Sequence, residues 1–239
     1  MIKLKYTPAI IIIFFVIVCL NLKAFAQQTI INVPSSEVLP FGGILLKDSN
    51  RFSPFDDGYA TITPSATFGL GHGFELSTGV ATTLDKETFV RGDITAKKVW
   101  FIGNASRLTV GGTISPYLSE SSRPNSFVYS HFTHRIKKTK TSITAGLYLH
   151  GKNSGPDSAG AILGLEQVII PNKLRLALDW LSSEDSYGKM GVGLKYRPVP
   201  TLSLTSAVIV PNEDDEIIGF NFSLSKFISV KDFASKRRL

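Results

Sequence analysis

The chain has 239 residues and a mass of 26.1 kDa; it is 43% hydrophobic and only 19% charged, with 20 Gly, 12 Pro and one Cys. A single thiol excludes a disulfide framework and a Cys-rich zinc site, and the apolar content excludes a solvated, disordered coil. The formal charge of +7 includes a segment that is not expected to belong to the fold.

That segment comes first. Lys3 and Lys5 make a positive start, Ala9 to Leu20 is an unbroken apolar run, and Ala24-Phe25-Ala26 offers small residues at both cleavage-determining positions. Residues 1–26 therefore read as a cleaved signal peptide, with Gln27 as the mature start. Lys3, Lys5 and Lys23 would leave with it, as would Cys19, whose neighbours Val18 and Leu20 suit lipoprotein processing poorly. After Gln27 no apolar stretch approaches the ~20 residues of a spanning helix. If the mature chain crosses a membrane, it crosses as strands.

Period-two alternation then recurs along the chain, the mark of half-buried strands. Phe74, Leu76, Thr78 and Val80 oppose Glu75, Ser77, Gly79 and Ala81. Val90, Ile94 and Ala96 oppose Arg91, Asp93, Thr95 and Lys97. The same pattern fills Arg107 to Ser115, Lys140 to His150, Lys173 to Leu181 and Tyr187 to Arg197. Twelve strands are predicted, at 38–47, 58–70, 73–83, 88–100, 106–118, 126–137, 139–150, 158–169, 173–182, 186–197, 201–210 and 216–227. Most exceed the usual soluble strand of about 5–6 residues and match the ~9–11 of a tilted membrane-spanning strand.

The connections alternate as well. Leu70 to Gly73, Gly103 to Ser106, Lys137 to Lys140, Ile170 to Lys173 and Arg197 to Thr201 are tight. Lys47 to Gly58, Leu84 to Thr88, Ser119 to Asn125, Gly151 to Ser158, Ser182 to Ser186 and Pro211 to Glu216 are generally longer. The longer set contains 13 of the 19 acids, from Asp48 to Glu216, whereas the tight set is basic. Short turns at one rim and long loops at the other are the pattern of an outer-membrane barrel. Acidic outer loops would suit the divalent cations that bridge lipopolysaccharide, and assembly would use the outer-membrane assembly machinery.

Alternation does not say which face points outward. The second face is rich in Gly, Ser and Thr with charges of both signs. Arg91, Lys97, Arg107, Arg135, Arg175, Lys189 and Lys195 stand against Glu75, Asp93, Glu166 and Asp179. A solvated exterior would carry a denser Lys/Glu mixture, so these eleven residues are expected to line a lumen. The apolar face would then meet outer-membrane lipid, with Tyr59, Trp100, Tyr117, Trp180, Tyr187 and Tyr196 as interfacial girdles. The expected fold is an all-β, up-and-down transmembrane antiparallel barrel of about 12 strands over 27–227, followed by a basic tail, 228–239.

Phe68-Gly-Leu-Gly-His-Gly-Phe-Glu-Leu76 resembles the tight "GLGDRLEL"-type turn of uncharacterised Gram-negative outer-membrane β-barrels of transporter or porin type. Asp179-Trp-Leu-Ser-Ser-Glu-Asp-Ser-Tyr-Gly188 is similar to their "DWxSGxNxxG" hairpin, with Ser183 in place of Gly and Asp185 in place of Asn. Lys195 to Leu204 resembles their next turn. The likeness covers roughly 60–227. It implies an outer-membrane protein and supplies no catalytic residues.

Chemistry is otherwise sparse. His131 and His134 form H-x-x-H, but on a strand they face opposite ways, so no metal site is expected. Ser130 and His134 share the apolar-facing side of one strand. They are the best candidates for a lipid-modifying enzyme, although ~3.3 Å per residue keeps them too far apart to bond directly. Basic residues lack an aromatic stacking platform, which argues against nucleic acid, and no cofactor motif is present. The sequence points first to a monomeric small passive pore or transporter-like channel for small polar solutes, mildly favouring anions. A barrel-embedded enzyme, a closed structural barrel and a secreted soluble ligand binder are the alternatives.

Overall fold

A computed structural model of the chain describes residues 29–54, 59–84, 88–118, 124–151, 159–183, 187–213 and 217–229. The expected signal segment lies outside the described residues, as does the tail beyond Ser229. Twelve strands follow one another: β1 (Gly43–Phe52), β2 (Ala60–Gly71), β3 (Phe74–Leu84), β4 (Thr88–Ile102), β5 (Ser106–Ser115), β6 (Asn125–Ile136), β7 (Thr141–His150), β8 (Ala159–Ile170), β9 (Leu174–Leu181), β10 (Lys189–Val199), β11 (Leu202–Pro211) and β12 (Gly219–Ser229). Each pairs antiparallel with its neighbours in sequence. β1 also pairs with β12, from Gly43 opposite Ser229 to Phe52 opposite Phe220, which closes the barrel. Closure leaves no unpaired edge, as hydrocarbon requires, because lipid cannot satisfy a free backbone N–H or C=O.

The alternation sorts outward and inward as chemistry demands. Ile94, Leu147, Val128 and Leu194 are exposed on the outer face, whereas Lys97, Thr109, Thr67 and Asp179 are buried inside. A soluble barrel would have the reverse arrangement. Tight turns also obey local rules. His72 and Gly73 both take positive φ between β2 and β3, the geometry a two-residue hairpin needs to match strand twist.

Two expectations need correction. The first strand is not 38–47 but 43–52, and Asp48, Ser49, Asn50 and Arg51, read as loop, lie in its ladder opposite β2 and β12. Turn-favouring residues yield here because β1 must supply both neighbours with hydrogen-bond partners to seal the cylinder. The second concerns the girdle. Trp100 and Tyr196 are exposed on the outside, but Tyr187 turns inward and stacks on Phe127, with centroids 5.3 Å apart.

Ile94, near the middle of β4, tests the orientation. Ile94→Lys is expected to cost about 2–4 kcal/mol of stability for the barrel in vesicles, the penalty of a cation near the bilayer midplane, while Ile94→Leu is nearly neutral. Urea unfolding in lipid measures both, and an unaffected Lys variant would place this face away from lipid.

Candidate functional site

The candidate site is the barrel interior, which holds residues 29–42, of which only 38–42 fall in the strand pattern read from the sequence. Residues 29–42 precede β1 and turn back inside the barrel. Ile30 N–H donates to the Val33 carbonyl at 2.7 Å, and Thr29 bridges Pro34, so 29–34 form a compact turn. Pro34 and Pro40 cannot donate to a ladder. Ile30, Ile31, Val33, Ser35 and Leu39 are almost fully buried. The apolar side chains find two nests. Ile30, Ile31 and Val33 join Phe127, Tyr129, Tyr148, Ile162 and Leu181, while Leu39 packs with Leu45 and Phe227. The wall is shaped to admit the segment. A Cβ on Gly69 would lie 2.1 Å from the Pro40 carbonyl oxygen, and one on Gly191 would lie 2.7 Å from Asn32 Nδ2.

The polar contacts are mainly between wall charges and the segment's backbone. Asp179 on β9 accepts the N–H groups of Ile31, Asn32 and Val33 at 2.6, 2.6 and 2.8 Å, and the Asn32 side chain at 3.0 Å. A carboxylate meeting successive backbone donors forms strong, charge-assisted bonds. Glu75 accepts the Leu39 N–H. Lys97 donates to the carbonyls of Ser35 and Glu37 at 3.2 and 2.6 Å. Arg107 donates to the Ser36 carbonyl at 3.1 Å, and Lys195 to that of Thr29 at 3.1 Å. Side chains of the segment add Glu37 on Arg175 at 2.8 Å, Asn32 on Arg51 at 2.9 Å and Thr29 on Lys47 at 3.2 Å.

The eleven residues expected in the lumen divide by what they meet. Lys97 pairs with Glu75 at 2.7 Å, Lys195 with Glu166 at 2.9 Å, and Arg91 with Asp93 at 3.1 Å. Of these, Glu75, Lys97, Glu166 and Lys195 are buried, as is Asp179. Among the described residues Asp179 has no cation partner; the segment's amides meet it. Arg175 and Arg107 also turn to the segment. Arg135 is exposed, with the short-turn cavity beside it, and Lys189 lines the cavity at the opposite end. Sequence reasoning missed Thr29, Asn32, Glu37, Lys47 and Arg51. The available signal was an apolar Ile-Ile-x-Val run broken by Pro34, too irregular for a strand yet too oily for an exposed linker.

Two cavities flank the segment among the described residues. One, of about 380 Å³, lies toward the longer loops and is bordered by Asn32, Arg51, Arg91, Tyr129 and Tyr187. The other, of about 270 Å³, opens at the short turns beside Glu37, Arg107, Arg135, Lys140 and Arg175.

The remaining candidates lie apart. His131 points inward and is buried, whereas His134 points outward. His134 Nδ1 is 2.9 Å from Ser106 Oγ on the neighbouring strand, while Ser130 stands opposite Val110 and Leu147. Among the described residues no cluster of His, Cys, Asp or Glu is arranged to hold a metal. Most of the acidic loop residues lie outside the described residues. Asp48 is within β1 and accepts a bond from Asn50 Nδ2 at 3.1 Å.

This architecture is that of outer-membrane β-barrels. The chain is similar to the KdgM porin, at 13% identity over 77% of this chain and 98% of that one, with a TM-score of 0.55. It is also similar to the COG4313 outer membrane channel from Pseudomonas putida F1, at 9% identity over 81% and 98%, with a TM-score of 0.54. These likenesses show a shared fold. No family model and no curated protein matches the chain.

The contacts to Asp179 carry a direct test. Asp179→Leu leaves three amides without their acceptor, each costing about 1–3 kcal/mol if it stays buried, so the segment is expected to leave. Cys19 is the only native cysteine; with Cys19 replaced, Asn32→Cys can be probed with a membrane-impermeant maleimide. Labelling is expected to be slow with Asp179 in place and at least about tenfold faster in the Asp179→Leu background.

Glu37 adds a pH dependence. Burial opposes its ionisation, but Arg175, aided by Arg197 and Lys195, outweighs burial and holds the carboxyl below its ordinary value of 4.5. A lowered carboxyl pKa stabilises the docked segment at pH above the ordinary value, and that contribution is lost as pH falls through the docked value. Because maleimide reacts with the thiolate, labelling of the Asn32→Cys variant is normalised to a free cysteine at the same pH; this ratio is expected to rise below about pH 4.5, and Glu37→Gln is expected to flatten this acid limb.

Proposed function

We propose that the protein is an outer-membrane channel for small polar solutes whose passage is closed at rest by its own N-terminal segment, residues 29–42, after removal of a signal peptide over 1–26. The observation that carries this reading is the combination of an apolar outer face with a polar lumen whose charges converge on one inserted segment. A purely structural barrel gains nothing from leaving cavities of about 380 and 270 Å³ on either side of such a segment. The porin and channel fold of the similar structures supports the same reading. Because Lys97, Arg107, Arg175 and Lys195 are engaged by the segment, ion preference belongs to the open state, where the cationic wall would favour anions.

The arrangement gives less support to a lipid-modifying enzyme. Ser106 and His134 touch, but among the described residues no carboxylate is seen to orient the ring, as the acid of a Ser-His-Asp site does.

Planar-bilayer recording tests the channel. The wild-type protein is expected to stay mostly closed with rare openings, and the Asp179→Leu variant to conduct for most of the recording. A folded Asp179→Leu barrel with a labelled, displaced segment and no current at any voltage would overturn the proposal.

A further inference from the structure

The contacts that hold residues 29–42 ask little of that segment's side chains. Among the described residues, wall side chains make eight polar contacts with its backbone: three amides on Asp179, one on Glu75, two carbonyls on Lys97, and one each on Arg107 and Lys195. Four reach its side chains, at Thr29, Glu37 and twice at Asn32. Every polypeptide offers the same amides and carbonyls, so a wall that reads them binds a class of chain rather than one sequence. Selection then comes from what remains. The apolar nests take aliphatic residues at Ile30, Ile31 and Val33 and again at Leu39. Lys97, Arg107, Arg175 and Lys195 run along the path, so a basic peptide would be repelled.

From this we infer that the lumen wall is a peptide receptor, occupied in cis by residues 29–42, and that a ligand of the channel is a non-helical polypeptide segment. Such a ligand carries a short aliphatic cluster like Ile30, Ile31 and Val33 and no net positive charge, and it takes the segment's place. The inference rests on the reading of 29–42 as a displaceable closure, and it deepens that reading by naming what displaces it. The backbone geometry is specific. Asp179 needs three successive N–H groups turned to one side, which an anionic solute without amides cannot supply. The glycine at 191 leaves room for the residue at the turn.

The test uses a variant lacking residues 29–38, checked for folding by heat-modifiable migration. If that variant does not fold, a protease site placed after Pro40 in the full chain, cut once the barrel is inserted, frees the same segment. A fluorescent peptide with the sequence of residues 29–41 is titrated onto the detergent-solubilised barrel and followed by anisotropy. Saturable binding is expected. Replacing Ser36 of the peptide by Ala is expected to change the affinity by no more than about threefold, because Ser36 meets Arg107 through its carbonyl. N-methylation at Ile31 and Val33, which removes two of the three amides, is expected to weaken it at least about tenfold. That difference is expected to vanish in the Asp179→Leu barrel, and Glu37→Lys in the peptide is expected to reduce binding.

Absence of binding, or equal binding of the methylated and unmethylated peptides, would overturn the receptor. Conductance is read separately. Current through the opened barrel without peptide binding would leave the channel standing and remove the receptor, whereas peptide binding without any current would do the opposite.

Discussion

The structure depends on the satisfaction of charge inside a closed cylinder. A barrel of twelve strands encloses side chains from every second position, and several of these are ionisable groups shut away from bulk water. An isolated buried charge is too costly to keep, so each must find a partner. Glu75 and Glu166 find cations on other strands, and Asp93 finds Arg91 on its own. Among the described residues Asp179 has no cation; its partner is the amide row of Ile31, Asn32 and Val33. The inserted segment and the charged wall are therefore one unit, because neither is satisfied without the other.

The same constraint explains how closure and readiness coexist. The segment is tied by charge-assisted bonds and by two apolar nests, but among the described residues it forms no strand of the barrel; its bridge, Thr29 to Pro34, is internal, and its backbone bonds to the wall lie near β1, at Gly42 and Pro40. Its departure would leave the twelve-strand ladder whole. Energetically, the wall is a continuous hydrogen-bonded cylinder and the segment is an insert, which makes the insert the element able to move. Its two ends differ. Leu39 anchors it near β1 through Leu45 and Phe227, while the turn at 30–33 rests on Asp179 and the aromatic group around Phe127. Loss at Asp179 therefore frees the turn before the stem.

Function follows from where the chemistry is concentrated. The outer face carries Ser106 and His134 in contact but lacks a described acid to complete a catalytic set. The inner face concentrates cations and acids at hydrogen-bonding distance from a peptide backbone. On the function proposed above, such a wall recognises a chain and controls passage.

Much of this was legible from residues alone. Strands β2 to β12 were readable within a few residues because period two is fixed by backbone geometry and survives any tertiary context. The outward direction of Ile94 and Leu147 followed from the Gly, Ser and Thr content of the opposite face. Of the residues expected inside, Glu75, Lys97, Glu166, Asp179 and Lys195 are buried, but their partners carried no mark in the sequence. Asp179 carries no mark showing that it would meet amides 146 to 148 residues away, and Glu37 looked like part of an ordinary approach to the first strand. Asp48 to Arg51 looked like a loop because turn residues dominate locally, while closure of β1 onto β12 is decided by the last strand. Periodicity along one chain determines which faces exist. Only the closed barrel decides what fills the space they enclose, because a cylinder brings together side chains that have no local relation and leaves its interior to whichever segment satisfies them.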